Sequence, residues 1–153
     1  MRDQQRSKVY DWEQKTFGVR DEKSTLKQCE EMARHIQTAY GKKWRRLEIK
    51  CGAGFRRAVA YPNAIYLPKW ARNEIVVLHE MAHWILVNDG VGCDHHGPKF
   101  MRLFIELIAW AIGLPKSEIL SSARAKRIKI APATTIPKRV GPYRAPALIR
   151  NIA

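Results

Sequence analysis

The chain of 153 residues has few cysteines, and they are far apart. Cys29, Cys51 and Cys93 form no C-x-x-C pair, which excludes a cysteine zinc ribbon and argues against a disulfide framework. No apolar run is long enough to span a bilayer, and the N-terminus lacks the apolar core of a signal peptide. We therefore expect a cytoplasmic protein in a reducing compartment, with no membrane partner.

Acidic side chains are absent from residues 119–153, which carry eight lysines and arginines. Residues 42–57 carry seven basic groups against Glu48 alone, and the charges of these two segments together equal the net charge of +14. Phosphate backbones are the commonest partner of such clusters, and no base-reading motif is present. The charge pattern predicts non-specific DNA binding through Lys42–Arg57 and the basic tail. The alternatives are a solvated surface or a contact with an acidic protein. The basic groups are Lys42, Lys43, Arg45, Arg46, Lys50, Arg56, Arg57, Arg124, Lys126, Arg127, Lys129, Lys138, Arg139, Arg144 and Arg150.

Composition divides the chain into an N-terminal arm of residues 1–20, a compact domain of residues 21–118 and a basic tail of residues 119–153. The length suits one domain with a proper core. Four prolines in the tail disfavour a long helix, so we expect an extended segment or one that a partner orders.

The periodicity of the compact domain predicts an α+β fold. An amphipathic helix is expected over about residues 22–40, followed by three short strands within "RLEIKCG", "RRAVAYP" and "NAIYLP" that form a small antiparallel sheet. A helix that is apolar almost all round runs from Lys69 or Asn73 to about Val87, so it should be buried. Gly97 and Pro98 open a second, mostly apolar helix that ends before Gly113. The aromatic residues at helical spacing are expected in the core. They are Trp70, Trp84, Phe100, Phe104 and Trp110.

The first of these buried helices carries the motif H-E-x-x-H at His79, Glu80 and His83. On a helix, His79 and His83 lie about 40° apart and Glu80 about 60° from His83, so all three side chains point to one side. Two imidazoles at this spacing can hold one zinc ion, and a neighbouring glutamate can take a proton from water at the metal. Burying these groups would otherwise cost several kcal/mol. The motif therefore predicts a zinc site.

A catalytic zinc needs a third protein ligand and an open fourth position. The elongated metzincin pattern is excluded, because it would require glycine at Leu86 and histidine at Asp89. His95 and His96 follow a short loop and precede the second helix, where a turn could bring either imidazole over the first helix. Glu106, Asp89 and Asp94 are the acidic alternatives, so the spacing alone leaves the third ligand open. His95 has a second open role, as a hydrogen-bond partner of a ligand or as a donor to the reacting group.

The segment "HEMAH", followed by a loop with glycine and aspartate and then by "HGPKF", resembles the SprT-like zinc metallopeptidases, which include the Spartan DNA–protein crosslink proteases. The resemblance implies His79, His83 and His96 as zinc ligands and Glu80 as the general base. The wider sequence, from "RDQQRSKVYDWE" to "IYLPKWARNEIVVLHEMAHW", also resembles a small group of proteins from actinobacteria and their phages described as metallohydrolases. The zinc ribbon of many SprT-like proteins is missing from this chain.

The sequence therefore predicts a minimal zincin-like metallopeptidase that acts on a protein or peptide substrate with Zn²⁺ as its cofactor. Two rival hypotheses remain. H-E-x-A-H also occurs in metallopeptidases that cleave phage and stress repressors, and an acidic third ligand of that kind would be Glu106. Alternatively, the chain is a nucleic-acid-binding or virion-associated protein in which zinc only stabilises the fold.

Overall fold

The structure is a computed structural model and describes residues 3–18, 23–41, 46–92 and 95–140. Five α-helices, three strands and two short 3₁₀ segments make up the described parts of the chain. They are α1 (Arg6–Phe17), α2 (Leu26–Ala39), β1 (Glu48–Cys51), β2 (Val59–Tyr61), β3 (Ala64–Leu67), a 3₁₀ turn at Lys69–Ala71, α3 (Glu74–Asn88), α4 (Pro98–Ile112), α5 (Lys116–Ala125) and a 3₁₀ turn at Ala133–Thr135. The predicted α+β class is confirmed.

Helix α3 lies at the centre of the fold, as its apolar composition predicts. It packs against α2, α4 and strand β2, and most of its side chains are buried. The Asn73 side chain caps its start by accepting a hydrogen bond from the Val76 amide at 3.0 Å. Helix α4 has Pro98 in its first turn and ends at Gly113, whose φ of 77° lies in the left-handed region. Both predicted ends of α4 are confirmed.

The three predicted strands form a small sheet in the order β1-β3-β2, but the sheet is mixed. Pro62 and Asn63 join β2 to β3 as an antiparallel hairpin. Strand β1 pairs with β3 in parallel, so the prediction of an entirely antiparallel sheet is wrong for that pair. The reason is that β3, the most buried of the three strands, takes the central place. The chain reverses twice between β1 and β3, which leaves these two strands running in the same direction.

The segment predicted as an N-terminal arm contains helix α1, which packs onto the core. Val9 and Trp12 are completely or almost completely buried. The Trp12 indole Nε1–H donates to the Ser122 hydroxyl at 2.9 Å, and its ring meets Phe104 edge to face. Gln5 precedes this helix and is buried too. Helix α1 therefore covers one side of the α3–α4 pair.

The predicted boundary between residues 118 and 119 falls inside helix α5, so the basic tail begins as a helix. After α5 the chain crosses back over α4: the Ala131 amide donates to the Pro98 carbonyl at 3.0 Å, and Ile128 and Ile136 are buried. The Val140 amide then donates to the Ala39 carbonyl at the end of α2. Residues 119–140 are thus part of the folded unit, and residues 141–153 of the predicted tail lie outside the described residues.

The described basic residues of both clusters are mostly exposed, and several contact other side chains. Arg46 and Lys50 form ion pairs with Glu48, while the Arg139 guanidinium lies 5.1 Å from the Trp110 ring centroid. The remaining members of the two clusters, Lys42, Lys43, Arg45, Arg144 and Arg150, lie outside the described residues. None of the helices in the described parts of the chain has both the length and the apolar composition needed to cross a bilayer.

Candidate metal centre

Helix α3 presents His79, Glu80 and His83 from adjacent turns, as the motif predicts. His79 and Glu80 are almost fully buried, at 2% and 5% exposure, and His83 is partly buried. The helix forms here because its apolar residues pack on both α2 and α4, which fixes the direction of the three polar side chains. The core thus positions the H-E-x-x-H groups without a contribution from flexible loops.

His96 completes a cluster of three imidazoles. It lies directly before Gly97, at the start of α4, and its Nε2 atom is 3.1 Å from Nε2 of His79 and 3.3 Å from Nε2 of His83. Two nitrogens on one tetrahedral zinc ion are about 3.3 Å apart when each Zn–N bond is about 2.0–2.1 Å. The spacing of the three Nε2 atoms therefore fits a single metal ion, and all three lie within 4.8 Å of one another.

Two carboxylates from the N-terminal segment bind the other nitrogens of this cluster. Glu13 Oε2 lies 2.8 Å from His79 Nδ1, and Asp3 Oδ2 lies 2.6 Å from His96 Nδ1. A carboxylate that accepts a hydrogen bond from Nδ1–H fixes the ring and leaves Nε2 as the metal-binding atom. Gln5 supports the same arrangement, because its side-chain amide donates to the His96 carbonyl at 2.9 Å.

Aromatic rings surround the three imidazoles. Phe100 stacks on His83 with its ring centroid 4.3 Å away and lies 4.9 Å from His79. On the other side, Tyr10 stacks on His79 at 5.5 Å and lies 5.1 Å from His96. Phe100 is completely buried, whereas Tyr10 is partly exposed. The cluster therefore has an apolar floor and a side that faces a cleft.

Burial and neighbouring charges shift the pKa values of these groups in different directions. Burial, together with the other histidines, holds the pKa of His83 well below its usual value and lowers that of His96 to about 4. Burial acts the same way on His79, but the carboxylates of Glu13, Glu80 and Asp3 together outweigh it and raise the pKa of His79. Neutral imidazoles are the metal-binding form, so the environment of His83 and His96 favours coordination.

A cleft of about 610 Å³ opens beside the cluster and reaches His79 and Glu80. Helix α1, the residues before β2 and the start of α3 form its walls. Burial raises the pKa of Glu80, while His79 and the backbone of Ala60 act in the opposite direction. A carboxylate with a raised pKa at the end of a cleft is suited to proton transfer.

The other ligand candidates that the structure describes are not part of the cluster. His95 is exposed, with its ring 6.5 Å from that of His83. Glu106 on α4 forms ion pairs with Lys116 at 2.9 Å and with Arg102 at 3.7 Å. Asp89 caps the C-terminal end of α3 and is exposed. Asp94, like Cys93, lies outside the described residues.

The sequence reasoning missed the contributions of Asp3, Glu13 and Tyr10. The spacing of Val9, Trp12 and Phe17 could have indicated helix α1, and its acids would then have been candidates for hydrogen bonding to the histidines. Nothing in the sequence says which imidazole each carboxylate contacts.

The prediction that the five aromatic residues lie in the core holds for three of them. Trp84, Phe100 and Phe104 are completely buried, and Trp110 is partly buried. Trp70 is 52% exposed and lines the cleft, so its assignment to the core is wrong. It lies in the short 3₁₀ turn before α3, where the chain runs over the surface.

Comparisons of the chain with protein-family models, with curated proteins and with solved structures gave no match. The resemblance to SprT-like metallopeptidases therefore stays a prediction. What the structure establishes is a group of three histidines that can hold one metal ion.

Proposed function

We propose that the protein is a zinc-dependent metallopeptidase in which His79, His83 and His96 hold the metal and Glu80 is the general base. One observation carries this proposal: three imidazoles converge closely enough to bind one metal ion, and a buried glutamate beside them borders a cleft. A structural zinc site takes four protein ligands, whereas a catalytic site keeps one position open. Among the described residues, no fourth metal-binding group joins the three histidines, which supports a catalytic site.

The donor set of three imidazoles supports zinc as the metal and argues against the common hard cations. Mg²⁺ and Ca²⁺ prefer oxygen ligands, and the three converging atoms are all imidazole nitrogens. Imidazole also suits copper, iron and nickel, but a three-histidine site with one open position is the arrangement of catalytic zinc. The carboxylates of Glu13 and Asp3 add to the negative charge around the imidazoles, which stabilises a divalent cation there.

Glu80 has the position and the environment of a general base. When bound, zinc would polarise a peptide carbonyl and lower the pKa of a water molecule beside it. Glu80 would accept the proton of that water molecule and later donate it to the departing amine. Its burial supports both steps, because a raised pKa strengthens the carboxylate as a proton acceptor and favours the protonated form that donates to the amine.

The cleft and the sheet support a peptide substrate. The cleft volume of about 610 Å³ lies in the usual range for pockets that enclose a ligand of several groups. Strand β2 is at the edge of the described sheet, and Arg57 and Ala58 just before it line the cleft. An extended peptide can add to such an edge through main-chain hydrogen bonds.

The proposal is tested by metal content and by proteolysis with matched variants. We expect about one zinc per chain in the wild type and a large loss of zinc in His79→Ala and His83→Ala. Glu80→Gln should keep its zinc and its fold but lose hydrolysis of casein. Glu118→Gln is the control, because Glu118 is an exposed carboxylate on α5 away from the cleft. If Glu80→Gln is as active as the wild type, Glu80 is not the general base. If both proteins are inactive on every substrate, a purely structural metal is the better explanation.

The third ligand is tested separately with His96→Ala and Glu106→Ala. We expect zinc loss only in His96→Ala, because Glu106 is engaged by Lys116 and Arg102. Zinc loss in Glu106→Ala with retention in His96→Ala would favour the acidic-ligand alternative.

A further inference from the structure

The cleft beside the candidate metal centre has an uneven distribution of charge. Three basic side chains line it, Arg6, Lys23 and Arg57, and all three are exposed. Its two acids are Glu13, which is hydrogen-bonded to His79 Nδ1, and Glu80, which is almost fully buried. The part of the cleft that a ligand meets first is therefore basic.

Two of these basic groups come from different parts of the fold but lie near the same ring. The Arg6 guanidinium, on α1, is 5.9 Å from the Tyr10 ring centroid, and that of Arg57, before β2, is 5.6 Å from it. Neither arginine forms an ion pair with a carboxylate within the described ranges, residues 3–18, 23–41, 46–92 and 95–140. Cation–π contact orients both guanidinium groups while leaving their N–H donors available.

The Tyr10 ring links these arginines to the metal centre, since it stacks on His79 at 5.5 Å. An extended chain covers about 3.3–3.6 Å per residue. Both guanidinium groups thus lie no more than about three extended residues from the His79 ring. A guanidinium pair is suited to bidentate recognition of a carboxylate, and a concave site concentrates its field.

We propose that this cleft binds a peptide that carries a carboxylate within about three residues of the scissile bond, and that Arg6 and Arg57 hold that carboxylate. The inference rests on the proposed peptidase function and names its substrate class. The size of the cleft, about 610 Å³, favours a peptide over duplex nucleic acid, because a duplex is too wide to reach Glu80 inside it. Trp70 and Val76 line the same cleft and offer apolar contacts to neighbouring side chains of the peptide.

Binding can be measured without hydrolysis. The protein is the zinc-loaded full chain with Glu80→Gln, and the probes are fluorescein-labelled octapeptides, amidated at the C-terminus, that differ only in a central Glu, Gln or Lys. A fourth probe is the Gln peptide with a free C-terminal carboxylate. We expect the Glu peptide to bind about tenfold more tightly than the Gln peptide in fluorescence anisotropy, and the Lys peptide to bind least tightly. If the probe with a free C-terminal carboxylate binds with the same affinity as the Glu peptide, the cleft also accepts a terminal carboxylate.

Arginine variants decide whether the preference comes from the cleft. Arg6→Gln and Arg57→Gln should each remove most of the preference for Glu, and Arg57→Glu should shift it toward Lys. Arg124→Gln is the matched control, because Arg124 is an exposed arginine on α5 that does not line the cleft. If all three Gln variants lose the same share of the preference for the Glu peptide, the proposal is overturned, since binding would then reflect the overall charge. Tighter binding of a single-stranded oligonucleotide through Arg6 and Arg57 would also overturn it.

The results separate this inference from the proposed function. Selective binding of the Glu peptide, without cleavage by the wild type, would leave the carboxylate site standing and remove the peptidase proposal. Cleavage of the Glu, Gln and Lys peptides at equal rates, with equal affinities, would support the peptidase and overturn the carboxylate site.

Discussion

The carboxylates of Glu13 and Asp3 give the most direct test of how this fold builds its metal centre. Each accepts a hydrogen bond at Nδ1 of a different histidine, at 2.8 and 2.6 Å, and both side chains are largely shielded from water. Removal of such a partner typically weakens metal affinity by about 10–100-fold, or about 1.4–2.7 kcal/mol. We expect losses of this size for Glu13→Gln and for Asp3→Asn. Because both acids hold ligands of the same metal ion, the loss in the double variant should differ from the sum of the two single losses.

Zinc affinity is measured by competition with a chromogenic chelator at pH 7.5, and thermal unfolding of each variant checks that the fold is kept. Asp11→Asn is the control. Asp11 lies on α1, like Glu13, but its carboxylate is exposed and pairs with Lys15 at 2.9 Å. It should bind zinc like the wild type. If Glu13→Gln also binds zinc within about twofold of the wild type, the carboxylates do not hold the ligands and the reasoning is refuted.

Three further predictions concern packing, thiol reactivity and charge. A Cβ at Gly52 would meet the Pro68 backbone nitrogen at 2.5 Å, so Gly52→Ala should lower the free energy of unfolding by roughly 1–3 kcal/mol in denaturant titrations. Gly92→Ala is the control, because a Cβ there would lie in open space. Equal losses of stability in the two variants would contradict this prediction. Burial raises the pKa of Cys29 to about 11, so only about one Cys29 thiol in a thousand is ionised at pH 8. N-ethylmaleimide should therefore modify exposed Cys51 long before Cys29. Equal modification rates in peptide mapping would show that Cys29 is accessible. We predict that the basic tail anchors DNA, so replacing four of its exposed basic residues by glutamine should weaken the salt dependence and leave zinc bound. The slope of the logarithm of the DNA-binding constant against the logarithm of salt concentration should become less steep by about 0.9 for each phosphate that the tail no longer neutralises. An unchanged slope would exclude the tail as the anchor. The four residues are Arg124, Arg127, Lys129 and Lys138.

Substitution of these side chains is a sharper test than deletion of the tail, because part of the tail belongs to the core. Residues 123–140 contain Ala123, Ile128 and Ile136, which are buried. Their removal would expose core surface and unfold part of the protein, so a change in DNA binding could not be assigned to charge. Substitution of exposed side chains changes the charge alone.

The sequence by itself determined the elements whose signals are local. The apolar residues around His79 and His83 predicted a buried helix, and Gly97, Pro98 and Gly113 predicted the ends of the next one, because propensity and capping act over a few residues. The H-E-x-x-H spacing also determined that two imidazoles and a carboxylate share one side of α3, since helix geometry fixes their directions.

Only the tertiary structure decided the contacts between distant parts of the chain. Glu13 and His79 are 66 residues apart, and Asp3 and His96 are 93 apart, so no local pattern relates them. The same holds for β3, whose central place made the sheet mixed, and for His96, which joins the cluster while His95 and Glu106 do not. In each case the outcome depends on how α1, α3 and α4 pack around one core, and the free energy of that packing is shared among many side chains rather than encoded in any single segment.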